Sequence, residues 1–228
     1  MLNEDTVVSV VIPAYKEAKT IRRVIRSLKK SSSYNMEIIV VDRLSNDGTE
    51  KIVKEEKARF VSEHRVGYGR AIKTGIDHAN GDIVVIIDAD DTYHACDIDK
   101  VVQPLIDDHA DVCLASRLGG TMMPGAMPGM NLFGNRMITS MYNMLYGQNV
   151  SDTQTGFRAM TKKSLEQSDL YADGMGLATV FLTEAAKQGL RITEFPTLYK
   201  PRDDHSETKM KRFKAGWEIL RILLLGQA

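Results

Sequence analysis

Asp88-Ala89-Asp90-Asp91-Thr92 directly follows an apolar run. Alternating carboxylates at the end of a strand hold a hard divalent cation through oxygen ligands. Mg²⁺ or Mn²⁺ in that position neutralises the charge that grows on a leaving diphosphate, which is Lewis-acid chemistry. An exposed acidic turn capping the next helix is the simpler alternative. Arg117, Arg136, Arg158, Arg202 and Lys209 are spread through the second half of the chain, each near a glycine, a turn or a strand end. Two phosphate-bearing substrates require several such cations. Arg117 and Arg136 are the candidates for holding an acceptor phosphate, a group already anionic at neutral pH that attacks without a strong base. Asp152, in SDTQTGFR, is the candidate base if the acceptor is instead a hydroxyl. With a phosphate acceptor its expected task is to orient Arg158 or the acceptor loop.

These residues must be delivered by a scaffold, and the β-branched runs supply one. Val7 to Ile12, Ile38 to Val41, Ile83 to Ile87 and Val112 to Ala115 read as strands buried on both faces, with a weaker strand from Arg59 to Glu63. Helical segments are expected at Glu17 to Lys30, Thr49 to Lys57, Gly69 to His78, Asp97 to Asp108 and Asn131 to Tyr146. Such alternation predicts an α/β fold with a largely parallel, helix-flanked sheet. Pro13, Asp42, Asp88 and Ser116-Arg117 stand at the carboxyl ends of four strands, the edge at which open α/β sheets bind ligands. Gly67-Tyr68-Gly69 precedes a helix, where the backbone either approaches a phosphate or makes a tight, closely packed turn.

At 228 residues and 43% hydrophobic the chain buries one substantial core, so a single domain over 1–228 is expected. Within it, 1–117 reads as the nucleotide-binding half, 118–206 as the acceptor half and 207–228 as an amphipathic terminal helix. Lys plus Arg and Asp plus Glu number 30 each, so no global field favours nucleic acid, which is not expected as a partner. Two cysteines exclude a disulfide framework and suggest a reducing compartment. No signal peptide is visible, and the apolar stretch Ile219 to Leu225 is far short of the roughly 20 residues that span a bilayer. Seven of the 12 methionines fall between Met122 and Met144, an adaptable apolar surface suited to an isoprenoid chain as well as to ordinary core. Met210, Phe213, Trp217, Leu220 and Leu224 follow helical spacing among Lys and Arg, a pattern for a helix lying in a membrane interface or docked on protein.

Together these segments resemble family-two glycosyltransferases of the GT-A fold, in the dolichyl- and polyprenyl-phosphate hexose synthase branch. The resemblance runs from about Val7 to about Lys209. VVIPAYKEAKTI is similar to that family's opening strand and loop, and implies Pro13, Tyr15 and Glu17 in the nucleotide pocket. VVDRLSNDGT resembles its second-strand motif and implies that Asp42 meets the base. GYGRAIKTGIDHANGDIVVIIDADDT resembles the glycine loop and metal motif, implying Gly67, Asp88, Ala89 and Asp90 at the nucleotide sugar and Asp88, Asp90 and Thr92 at the metal. SRLGG, GNR and SDTQTGFRAM are similar to later signatures of this branch. RITEFPTLYKPR followed by SETKM resembles its closing strand, with Arg202 and Lys209 facing phosphate. Arg43 and Leu44 replace the usual acidic and small pair after Asp42, leaving the base open between uridine and guanosine.

The resemblance implies a metal-dependent inverting hexosyltransferase that uses Mg²⁺ or Mn²⁺. It implies transfer from a UDP- or GDP-hexose to dolichyl or polyprenyl phosphate, with peripheral association at the cytoplasmic face of a membrane. A catalytically silent sugar-nucleotide binder is a further reading, which the intact DxD disfavours, and two enzyme readings stand beside it. One is a soluble glycosyltransferase with a glycan or small-molecule acceptor. The other is a DxD-type phosphohydrolase, in which the first Asp would be a nucleophile.

Overall fold

Each β-branched run becomes a strand whose alternate residues face two different helical layers. The computed structural model describes residues 6–202 and 212–226. Seven strands, β1 (Val7–Ala14), β2 (Asn35–Asp42), β3 (Arg59–Ser62), β4 (Ile83–Ile86), β5 (Val112–Met122), β6 (Arg158–Thr161) and β7 (Ile192–Tyr199), form one sheet in the order β3-β2-β1-β4-β6-β5-β7. All pairings are parallel except those of β6, which lies antiparallel between β4 and β5. The expected α/β, largely parallel sheet is therefore present. The expected strands are met within a few residues, but β5 continues through the glycine pair to Met122, and β6 is a strand that periodicity did not reveal.

The helices are α1 (Ile21–Ser31), α2 (Thr49–Glu55), α3 (Tyr68–Asp77), α4 (Ile98–Ile106), α5 (Gly129–Tyr146), α6 (Lys162–Glu166), α7 (Leu177–Lys187) and α8 (Arg212–Leu225). On one face of the sheet Val8, Val10 and Ile12 pack with Ile21, Ile25 and Leu28 of α1 and Val101 and Leu105 of α4. On the other, Val11, Ile39, Val84 and Ile86 pack with Ile72 of α3, Phe181 of α7 and Ile222 of α8. Burying a Val, Ile, Leu or Phe side chain contributes about 1.5–3 kcal/mol, so residues packed on both faces make the central strands the most strongly held part of the molecule.

That rigidity extends to the loops at the strands' carboxyl ends. Lys16 donates its backbone N–H to Ser45 Oγ at 2.7 Å, and Arg43 N donates to Ala14 O at 3.1 Å, joining the loops after β1 and β2. Glu63 N donates to Asp42 O at 2.9 Å, bringing in the chain after β3. Of the six non-glycine residues with positive φ among the described residues, Lys16, Leu44, Asn46 and Asp91 (57°, 44°, 50° and 58°) lie in the loops after β1, β2 and β4, and Lys57 and Asp108 follow helices.

Glu63 is the buried anchor of the loop leading to α3. Arg65 donates to it through N, Nε and Nη2 at 2.9, 2.8 and 2.7 Å, and Thr74 Oγ1 also donates to it. The Arg65 guanidinium, helped by Thr74 and opposed by burial, holds the Glu63 carboxyl well below the usual carboxylate range. A depressed folded-state pKa stabilises the protein at pH values above the unfolded value of about 4.3, and that stability is lost as pH falls below it. Glu63→Gln should therefore lower stability by about 1–3 kcal/mol at pH 7. Urea denaturation at pH 7 and near pH 3 should show the gap between the two proteins narrowing in acid. An unchanged gap would contradict the ionic origin of the effect.

Candidate functional site

Asp88 and Asp90 leave the end of β4 together and are held by different partners. Asp88 Oδ1 accepts from Tyr68 Oη at 2.7 Å. Its other side lies against Gly156, where an added Cβ would overlap the carboxylate. Asp90, 5% exposed, accepts at Oδ1 from Thr92 N (3.2 Å) and Thr92 Oγ1 (2.6 Å), and its Oδ2 lies 2.5 Å from Arg202 Nη2. Burial, and then the charge of Asp90, push the Asp88 carboxyl up to about 6. Asp91 faces elsewhere, toward Arg23 and Lys200.

Among the described residues no group of three or more His, Cys, Asp or Glu could hold a metal by itself. The oxygens of Asp88 and Asp90 are hard donors that suit Mg²⁺ or Mn²⁺, and such cations commonly take one or two carboxylates and complete their shell with substrate phosphate and water. The site fits a cation that arrives with a diphosphate. Thr92, expected as a ligand, has its hydroxyl donating to Asp90 and is 1% exposed. Its observed task is to hold that carboxylate.

Asp42, the last residue of β2, accepts from Ser45 N at 2.8 Å and also from Ser45 Oγ. Tyr15 sits beside it, with Arg43 5.0 Å and Lys16 5.5 Å from its ring centroid. Pro13 belongs to β1 and pairs in register with Val41, while Glu17 is 6% exposed at the start of the α1 turn. Sequence reasoning thus placed Pro13, Tyr15, Glu17 and Asp42 on one edge, and the structure brings them there with Asp88, Ala89 and Asp90. Gly67, with φ +147°, is another matter: a Cβ there, as at Gly69, would collide with backbone of residues 172–174. These glycines permit close packing of α3, the second of the two readings weighed for them.

Arg117 ends the straight part of β5 and forms a buried pair with Asp152. Its Nε, Nη2 and backbone N–H donate to the carboxylate at 2.7, 2.9 and 3.1 Å, and Gln154 N adds a fourth bond at 3.2 Å. Asp152 is 0% exposed and Arg117 8%. Of the two tasks expected for Asp152, orienting Arg158 or the acceptor loop, the first is not met. Arg158 instead donates to Ala178 O at 3.0 Å and to Thr155 O, with its guanidinium 5.7 Å from the Phe181 ring, as a core brace. Arg136 is exposed on α5. Lys209 lies outside the described residues.

Two contributors escaped sequence reasoning. Tyr68 was seen only as the residue between two glycines, yet it orients Asp88. Tyr93, packed edge-on between Phe157 and Tyr199, accepts from Gly156 N at 2.5 Å and so ties the SDTQTGFR segment to the turn carrying Asp90. Nothing in a single sequence marks an aromatic hydroxyl as a cross-chain acceptor.

Comparison with known proteins places this geometry in a family. The model of glycosyl transferase family 2 matches residues 9–168. Glycosyltransferase AglJ of Haloferax volcanii is 34% identical over 92% of this chain and 68% of its own length. Dolichyl-phosphate hexose transferase of the same organism is 31% identical over 92% of this chain and 90% of its own. The UDP-N-acetylglucosamine–dolichyl-phosphate N-acetylglucosaminyltransferase of Methanococcus voltae is 31% identical over 97% and 96%. Glucosyl-3-phosphoglycerate synthase of Mycobacterium tuberculosis, solved with Mn²⁺, UDP and phosphoglyceric acid, shares the fold, with a TM-score of 0.77, 22% identity and coverage of 97% and 78%. The chain belongs to glycosyl transferase family 2.

Gly156 links the SDTQTGFR segment to the Asp88 carboxylate by contact alone, which isolates its positioning from other effects. Gly156→Ala should displace the Asp88 carboxylate and weaken Mn²⁺-dependent UDP binding by on the order of 10- to 100-fold, a range set by what about 1 Å of misplacement does. Calorimetric titration with UDP and Mn²⁺, beside a circular dichroism spectrum, checks it. Unaltered UDP affinity in a folded variant would show that Asp88 has no part in the donor site.

Proposed function

We propose that this glycosyltransferase moves a hexose, with inversion, from a nucleoside diphosphate sugar to a polyprenyl or dolichyl phosphate at a membrane surface. The observation that carries the acceptor reading is the state of Asp152. A sugar hydroxyl must lose a proton during attack, and Asp152 was the carboxylate in place to take it. That carboxylate is fully buried and accepts four hydrogen bonds, three of them from Arg117. Each carboxylate oxygen is already engaged by two donors, so Asp152 has no open face to meet an incoming hydroxyl. An acceptor that arrives ionised needs no such base. The names of the two dolichyl-phosphate relatives support the same acceptor class, and UDP in the M. voltae relative's name favours uridine over guanosine.

Within this reading the chain's residues divide the work. Pro13, Tyr15, Glu17 and Asp42 receive the nucleoside, and Asp88 and Asp90 would hold Mg²⁺ or Mn²⁺, which when bound offsets charge on the leaving diphosphate. Arg202 stands beside Asp90, within reach of the diphosphate. Asp152 locks the Arg117 guanidinium at the end of β5, and Arg136 offers a second cation from α5 for the acceptor phosphate.

The surface supplies a place for the lipid. Met130, Phe133, Met137 and Met144 form one stripe on α5, and Met130, Phe133 and Met144 are 79%, 69% and 75% exposed. On α8, which packs against α5 and α7, Ala215, Ile219, Ile222 and Leu223 are buried while Trp217, Leu224 and Leu225 are 70%, 59% and 68% exposed. The terminal helix therefore docks on protein with one face and exposes an apolar second face. Among the described residues no helix is long and apolar enough to cross a membrane. Apolar side chains at this density, with Arg136 and Arg221 among them, favour shallow insertion between lipid headgroups.

Two measurements test the proposal. Given UDP-hexoses and Mn²⁺, the protein should glycosylate phytanyl phosphate and leave phytanol and free sugars unmodified; transfer to a hydroxyl acceptor at comparable rate would overturn the phosphate-nucleophile mechanism. Phe133→Asp with Trp217→Asp should abolish co-sedimentation with anionic vesicles while UDP binding is kept. Wild-type protein that stays in the supernatant, or a double variant that still sediments, removes the membrane surface from the proposal.

A further inference from the structure

Arg202 stands where a cation's charge is needed. β7 is tied to the DxD turn by the Lys200 N to Thr92 O bond at 2.8 Å and by a bridge between Tyr93 and Tyr199, so the chain two residues on must pass Asp90. There Arg202 Nη2 lies 2.5 Å from Asp90 Oδ2. Its Nη1 reaches only to 4.0 Å from Glu17 Oε1 and is buried without a hydrogen-bond partner among the described residues. Asp90 is thus held at one oxygen by Thr92 and at the other by Arg202. A divalent cation bound to Asp90 would compete for the oxygen that now carries the guanidinium, and two cations cannot share it without strong repulsion.

We propose that Arg202 is the resident counter-cation of the metal site. In the free protein it neutralises Asp90 beside the half-buried Asp88. A divalent cation takes its place, and the released guanidinium, whose Nη1 already lacks an acceptor among the described residues, turns to the donor's diphosphate. Cation and nucleotide then bind as a coupled pair: each makes room for, or supplies the partner of, the other. The nature of the anion rests on the nucleotide-sugar reading; the competition between Arg202 and the cation does not.

The competition predicts a gain of binding, which the loss of an ordinary phosphate-contacting arginine would not produce. Mn²⁺ titrations without nucleotide, read by electron paramagnetic resonance, should show Arg202→Met binding the ion at least about fivefold more tightly than wild type, within the usual range of coupling between sites. The same variant should bind UDP more weakly at saturating Mn²⁺, so that the mutual enhancement between ion and nucleotide disappears. Without metal it should melt below wild type, because Asp90 has lost its counter-charge, and Mn²⁺ should remove the difference. Mn²⁺ affinity equal to or below that of wild type in the folded variant would overturn the proposal. Tighter Mn²⁺ binding with no UDP binding by any protein would keep the counter-cation role and remove the nucleotide-sugar reading instead.

Discussion

The site depends on the cost of burying carboxylates. Asp90 and Asp152 are buried and Asp88 half-buried at the carboxyl edge of the sheet, where an ionised group is stable only if it is paired or hydrogen-bonded. The fold answers with two guanidinium groups from distant parts of the chain. Arg117 is committed to Asp152 by three hydrogen bonds, while Arg202 reaches Asp90 through one nitrogen and leaves another without an acceptor among the described residues. The first pair has the character of a fixed strut and the second of a contact that a stronger ligand can displace.

That difference follows from how each arginine is attached. Arg117 lies in β5 immediately after Ser116, the last residue before the register shift in the pairing with β7, and Asp152 enters from the loop before β6. Arg202 follows the end of β7, anchored by one backbone bond and one bridge to the DxD turn. The antiparallel strand β6 is the element that joins these regions. By inserting between β4 and β5 it places Gly156 against Asp88 and Asp152 against Arg117 within five residues of chain.

The second half of the chain performs two tasks with one set of helices. α5 and α8 bury Tyr142, Ile219 and Ile222 against the sheet and α7, and turn Phe133, Met144 and Trp217 outward. The methionine-rich segment and the terminal helix therefore serve as core and as apolar surface at once. The alternatives of packing element and membrane-facing helix were not exclusive, because an α-helix presents different residues to its two sides.

The sequence by itself determined what depends on local pattern. Uninterrupted Val and Ile runs marked the doubly buried strands, and polar residues at their ends marked the binding edge, because chain direction in a parallel sheet places every carboxyl end on one side. Motif spacing then identified the family and the DxD carboxylates. Three matters were decided only in the tertiary structure. Asp152 proved to hold Arg117 and not Arg158, since sequence proximity says nothing about which buried cation a carboxylate meets across a sheet. Tyr68, Tyr93 and Gly156 gained their roles from contacts spanning 20 to 68 residues, for which no periodicity exists. Arg202 was expected at a phosphate and is found on Asp90, because a buried carboxylate takes a cation that the chain brings to it.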